Sequence, residues 1–252
     1  MNFRRLNLYN WNWFFPVLLF LTFFNYTTAF SKELVIAFPA NLPPWTLEKK
    51  DAGIIIEIVR KSFEIQGYSV KTRFLSLKEL NQAILSGIDA HAQVESSNLK
   101  GYYSSEVSYF QTSLISLKPH RFKITTIDDL KDRKIIAFQN ASLLFGEAFH
   151  NMAQHNPFYE ELADQEEQVV RFYNGQTEFI LIDKNIFLYF RRITTRTNTS
   201  MSIQYHQISG LTEVSPAFVV FRDKKLRDDF NIGLKLLKEN GDYYDIIYNY
   251  TN

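Results

Sequence analysis

Glu33-Leu34-Val35-Ile36-Ala37-Phe38-Pro39-Ala40-Asn41-Leu42-Pro43-Pro44-Trp45 is the stretch from which the fold is read. Its first part is short, apolar and ended by proline, the pattern of a buried strand. The two later prolines hold an extended loop, since each fixes its own φ and restrains the residue before it. Gly53 then precedes a helical pattern over 54–66, with apolar residues at Ile54, Ile55, Ile58, Val59 and Ile65. Gly67 stands where a C-cap glycine belongs. A second strand is expected over 70–74. Ser76 and Glu79 form a capping box that opens a helix over 77–85, and Gly87 ends it. Residues 88–93 read as a third strand. Strand, helix, strand, helix, strand at such intervals specifies a parallel α/β sheet. Ligands of these sheets bind at the carboxyl ends of the strands, which here fall at 39–45 and 93–97.

A second α/β unit starts after 114–117. Thr126 caps a short helical turn over 126–130, and 134–138 reads as a strand. The polar loop Gln139-Asn140-Ala141-Ser142 opens a helix that runs to about Gln154. Strands are expected over 168–172, 179–183 and 217–221, and a closing helix over 226–239. The two halves share one plan, and neither a repeat nor a low-complexity linker separates them.

Composition narrows the function classes. The 252 residues suffice for two lobes with a buried core. Apolar residues at 46% against 22% charged exclude a disordered chain. With 28 Lys plus Arg against 27 Asp plus Glu, no charge bias points to nucleic acid. The chain has no cysteine, which excludes disulfides, thiolate metal sites, cysteine nucleophiles and lipid attachment through a lipobox.

Arg4 and Arg5, the apolar run from Trp11 to Phe24 and the segment Asn25 to Ala29 follow the order of a secretory signal peptide. That run is shorter than the ~20 residues a spanning helix needs. Residues 1–29 are therefore expected to be a cleaved signal peptide, with a mature N-terminus near Phe30 in the periplasm. No nucleophile elbow, phosphate loop or dinucleotide fingerprint is present. The five histidines are scattered: His91 and Glu95 are four apart but on a strand and loop, and His150 and His155 are five apart. No catalytic residue, metal site or cofactor is expected.

The order and spacing of these motifs resemble the family 3 extracellular solute-binding proteins, which serve polar amino acid importers. The resemblance spans about residues 33–250. Leu42-Pro43-Pro44-Trp45 is similar to the family's Pro-Pro-aromatic loop. Gly53 and Glu57 match its glycine motif, and 86–90 resembles its Gly-x-Asp strand. Ser105-Glu106 through Tyr109-Phe110 resembles its crossing segment, and 127–135 its Leu-x-Asp-Leu-x-Gly-Lys-x-Val segment. Gly175 with 178–183 resembles the last strand of its second lobe.

The resemblance implies a type II periplasmic-binding-protein fold: two α/β lobes joined by two crossing strands. Lobe one would be 33–114 plus 219–252, and lobe two 115–218. It implies capture of a small polar solute, amino acid-like or amine, by hinge closure. The partner would be an ABC permease or a sensor receptor in the inner membrane, and the protein a monomer. A few relatives of this fold are periplasmic dehydratases of prephenate-like acids, which is the enzymatic alternative.

The resemblance also implies ligand-binding residues: Trp45, Gln93, Glu95, Ser96, Lys100, Tyr109, Ser142 and Asp183. Two readings fit several of them. Trp45 either stacks on the ligand or belongs to the core. Asp183 holds the ligand amine, caps the following helix, or does both. Either Ser142, with the backbone N–H groups of Ala141 and Ser142, holds a ligand carboxylate, or Asn140 or Ser142 simply caps the helix. Tyr109 fits hinge packing as well as ligand contact. Two departures stand out. Leu99 and Lys100 lie where amino-acid binders carry an arginine, whose planar fork grips a carboxylate as lysine does not. Ile55 replaces the first acid of the glycine motif. The expectation is a ligand with an amine and weak or absent carboxylate recognition.

Overall fold

The apolar run that opens the chain's fold is realised as a central strand, β1 (Lys32–Pro39). The computed structural model describes residues 32–76, 79–80, 87–93 and 99–252. The remaining strands are β2 (Tyr68–Leu75), β3 (Ala90–Gln93), β4 (Tyr102–Tyr103), β5 (Ser108–Leu117), β6 (Ile135–Phe138), β7 (Tyr159–Leu162), β8 (Phe179–Asp183), β9 (Ile203–His206) and β10 (Val214–Phe221). The described α-helices are α1 (Ile54–Glu64), α2 (Gly146–His155), α3 (Gln165–Tyr173), α4 (Lys184–Ile193), α5 (Lys224–Glu239) and α6 (Asp242–Thr251). Residues Ser31–Asn252 form one unit.

The sheet order is β2-β1-β3-β10-β5-β8-β6-β7. β1 is parallel to β2 and β3, and β6 is parallel to β7 and β8. The two parallel sets are joined by β5 and β10, and each of these changes partner along its length. β10 pairs with β5 through Val214–Ala217 and with β3 through Phe218–Phe221. β5 pairs with β10 up to Gln111 and with β8 from Thr112. This is the expected architecture of two α/β halves linked by two crossing strands.

Packing follows from the pattern. α1 buries Ile54, Ile55, Ile56, Ile58, Val59 and Phe63, each such side chain worth about 1.5–3 kcal/mol removed from water. Against it lies α5, so close that a Cβ on Gly233 would stand 1.9 Å from the Ser62 carbonyl oxygen. Only glycine fits there. A second core gathers Leu130, Ile135, Phe149, Phe179 and Leu181 around β6 and β8.

The Ser76–Glu79 capping box is present. The Ser76 N–H donates to Glu79 Oε2 at 2.9 Å, and the Glu79 N–H to Ser76 Oγ at 3.4 Å. Of the helix expected over 77–85, only 79–80 lie within the described residues, and they are helical. Thr126 and Asp129 form the second capping box, on a 3-10 turn over Ile127–Leu130.

The structure corrects the sequence reading in three places. The strand expected over 168–172 is helix α3: the Asp164 side chain accepts the Glu167 N–H at 3.0 Å and caps it. A short apolar run does not by itself separate a buried helix from a strand. The strand in this region is β7, whose sequence Tyr-Glu-Glu-Leu does not look apolar. Its Glu160 is engaged by Arg171 in two bonds of 2.8 and 2.7 Å. The helix expected after Ser142 starts only at Gly146, preceded by a 3-10 turn, Ala141–Leu143. β4, β9 and α6 were not anticipated.

His91 lies in β3, 1% exposed, and neither ring nitrogen has a hydrogen-bond partner. Burial pushes its pKa down to about 4. The folded chain therefore holds a neutral imidazole where the unfolded chain takes up a proton. The proton-linked cost of this histidine is absent at neutral pH and grows as pH falls from the unfolded value of about 6.5 toward about 4, by about 3 kcal/mol in all. Denaturant unfolding of the parent and His91→Leu tests this, because other titrating groups cancel in the comparison. Between neutral pH and pH about 4 the parent should lose roughly 2–3 kcal/mol more than the variant. Equal losses would contradict the assignment.

Candidate functional site

A cavity of about 430 Å³ opens beside the point where the crossing strands change partners. That size lies within the ~300–1,000 Å³ typical of small-molecule sites. It sits at the carboxyl ends of β6 and β8, where ligands of parallel sheets bind. β5 contributes Phe110 and Thr112, β6 contributes Phe138, and β8 contributes Asp183. Gln165 and Ile186 come from the first turns of α3 and α4, and Leu144 and Phe145 from the segment before α2. Gly210 and Glu213 lead into β10, which contributes Ser215, and Leu42 comes from the loop after β1.

Asp183 is the buried charge of this cavity, only 7% exposed. Its Oδ1 accepts the N–H groups of Asn185 and Ile186, both at 3.0 Å, and so caps α4. Its Oδ2 accepts the Gln111 N–H of the neighbouring strand at 2.8 Å. The side chain thus caps a helix and lines the cavity at once. Burial pushes its carboxyl up to about 6, against the pull of N–H donors on Ile186, Gln111, Asn185 and the Trp45 indole. Among the described residues it forms no ion pair.

Trp45 is 1% exposed and packs on Phe110, with ring centroids 4.6 Å apart. Its Nε1 has no hydrogen-bond partner, yet lies near enough to Asp183 to favour the ionised carboxyl. Phe110 is the ring that lines the larger cavity, while Trp45 lines a small apolar recess with Ile55 and Ala92. Gly53 sets this position from behind. Its φ is +138°, and a Cβ there would stand 2.3 Å from the Trp45 carbonyl oxygen.

Tyr109 and Lys100 lie apart from the cavity. Tyr109 lies on the face of β5 opposite Phe110 and Thr112, as strand alternation requires, and its hydroxyl donates to the Glu106 carboxylate. It takes no part in the cavity. Lys100 is exposed and outside the lining. Gln93 ends β3 opposite Phe218. Glu95 and Ser96 lie outside the described residues. Phe110, Thr112, Gln165 and Glu213 were missed. Alternation along the crossing strand offered a signal for Phe110, since one of Tyr109 and Phe110 had to face the cleft. Gln165 and Glu213 carry no local signal.

Ser142 is placed differently from either reading. Its N–H donates to Glu161 Oε1 at 2.7 Å, and the Asn140 N–H to Glu161 Oε2 at 2.6 Å. The Tyr159 hydroxyl adds a bond of 2.9 Å. Burial works to raise the Glu161 carboxyl, and the donors of Ser142, Tyr159 and Asn140 outweigh it and hold the group below its usual value. Of the two amides that the resemblance assigns to a ligand carboxylate, those of Ala141 and Ser142, the Ser142 N–H is occupied by a carboxylate of the chain itself.

Known structures share this architecture. The chain resembles an ancestral cationic amino acid solute-binding protein at 15% identity and TM-score 0.68, covering 87% of this chain and 96% of the other. It resembles a polar amino acid ABC uptake transporter substrate-binding protein from Streptococcus thermophilus at 16% identity and TM-score 0.68, over 87% and 86% of the two chains. It also resembles a histidine kinase sensor domain with similarity to periplasmic binding proteins, at 16% identity and TM-score 0.59, over 87% and 96%. These likenesses establish the periplasmic-binding-protein fold. No family model and no curated protein matches the sequence.

Glu161→Ala tests the internal anion. Amide hydrogen exchange at Asn140 and Ser142 should accelerate, with a stability loss of about 1–2 kcal/mol. Unchanged exchange at both amides would show that Glu161 does not hold this loop.

Proposed function

We propose that this chain is an exported solute-binding protein that captures a small polar ligand, amino acid-like or an amine, and delivers it to an ABC importer. The observation that carries the reading is the cavity itself. It lies at the carboxyl ends of β6 and β8, beside the partner change of both crossing strands. A ligand there touches Leu42 of the first α/β half together with residues of the second. Such a ligand favours the closed arrangement over an open one and shifts the population toward it. On this reading 33–114 with 219–252 form one lobe, 115–218 form the other, and residues 1–29 direct export to the periplasm. Among the described residues no helix is long and apolar enough to cross a membrane.

The likeness to a histidine kinase sensor domain supports a second reading, in which the closed form engages a membrane receptor instead of a permease. An enzymatic role is less well supported. The cavity lining carries Asp183 and Glu213 but no arginine for an anionic substrate of the dehydratase kind.

A thermal-shift screen of amino acids and amines, combined with small-angle scattering, tests the reading. A true ligand at about one hundred times its Kd stabilises the folded state by about 2.7 kcal/mol, a Tm rise of roughly 5–10 °C, and reduces the radius of gyration. If no solute raises Tm, or the hits leave the scattering curve unchanged, capture by closure is wrong.

A further inference from the structure

Resting on that reading of the cavity, we propose that its ligand is a small organic cation with an apolar body and no carboxylate, an arylalkylamine or branched alkylamine in class. Three observations converge on this chemistry.

The first is charge. Asp183 and Glu213 both line the cavity, and among the described residues its lining includes no lysine, arginine or histidine. Lys184 follows Asp183 directly, but its ammonium lies 6.0 Å from the Tyr205 ring centroid and lines a separate pocket. The negative charge of Asp183 is held by N–H dipoles alone. An anionic group entering the cavity meets two carboxylates and no counter-charge, whereas an ammonium supplies what the wall lacks.

The second is an unpartnered acceptor. Gln165 lines the same cavity, and its Oε1 is buried with no hydrogen-bond donor. Buried polar atoms are almost always partnered, so this oxygen favours a donor brought by the ligand, which reaches it once the Gln165 side chain turns toward the cavity. An ammonium carries three N–H donors and no acceptor.

The third is the remainder of the lining. Leu42, Phe110, Phe138, Leu144, Phe145 and Ile186 form apolar walls. They suit an aryl or branched alkyl body better than a polyamine chain, whose second ammonium would lose its hydration against them without an anionic partner. The loop amides nearest in kind to an anion site, those of Asn140 and Ser142, are already filled by Glu161. A carboxylate on the ligand would have to displace Glu161 to use them.

Titration calorimetry on the full exported chain tests this with matched pairs: phenethylamine and phenylalanine, tyramine and tyrosine, isoamylamine and leucine, with putrescine as a cation lacking an apolar body. At least one apolar-bodied amine should bind. Its amino acid counterpart should bind at least about tenfold more weakly, as should putrescine. Asp183→Asn, which retains a capping side chain, and the exposed Glu213→Gln should each weaken the amine, the first by about ten- to a hundredfold. Amino acids that bind as tightly as the amines, with the same loss in both variants, would overturn the ligand class and leave the cavity reading intact. An amine whose affinity neither variant changes would overturn the cavity as its site. No binding by any of the three amines would overturn the class, and the broader solute screen then decides the reading beneath it.

Discussion

A carboxylate without a cation is the constraint around which the site of this protein is arranged. Asp183 ends the most deeply buried strand of the second half, all five of whose residues are buried. An ionised group in such a wall is costly unless its lone pairs are filled. The chain fills them with backbone donors from two directions, the first turn of α4 and the partner strand β5. That arrangement fixes where α4 begins, sets β5 against β8 just where β5 leaves β10, and leaves a negative charge facing the cavity. Burial keeps the cost visible, as the carboxyl is pushed up to about 6.

The same device recurs at two other places with different consequences. Glu161 closes the loop after β6 by accepting the Asn140 and Ser142 amides. Glu57 accepts the Tyr250 hydroxyl, which itself accepts the Gly53 N–H at 2.9 Å, so the last helix is tied to the start of α1. In each case an acidic side chain, directly or through the Tyr250 hydroxyl, satisfies groups that a loop or helix terminus leaves open. The three differ in what they face. Glu161 and Glu57 are spent on the fold, whereas Asp183 does structural service and still borders open space. This difference separates a residue that shapes the site from one that can attract a ligand.

Much of the fold was legible because it rests on local signals. The prolines at 43 and 44, the glycines at 53 and 67, the Ser76–Glu79 capping box and the capped turn at 126–130 mark boundaries through local geometry alone, and the structure keeps them. The strand at 179–183 was readable as an unbroken apolar run ending in an acid. What was not legible depends on partners distant in sequence. β7 hides behind two glutamates whose roles emerge only with Arg171 and the loop at 140–142 in place. α3 was mistaken for a strand because its cap, Asp164, lies outside the apolar run that drew attention. Of the site, Asp183 was found as the cap of α4, and it lines the cavity. Trp45 was placed near the right point of the chain, but Phe110 stands between it and the cavity. Gln165 and Glu213 are brought in by tertiary structure alone.

The account turns on Asp183 being a buried carboxylate with no cation beside it, and its protonation reports this directly. The side-chain carboxyl carbon of Asp183, assigned by comparison with Asp183→Asn, can be followed by NMR across the acid and neutral range in ligand-free protein. A midpoint near 6 is the predicted result. A midpoint at or below the ordinary aspartate value of about 3.9 would mean that water or a cation already compensates the charge, and would contradict the site as described.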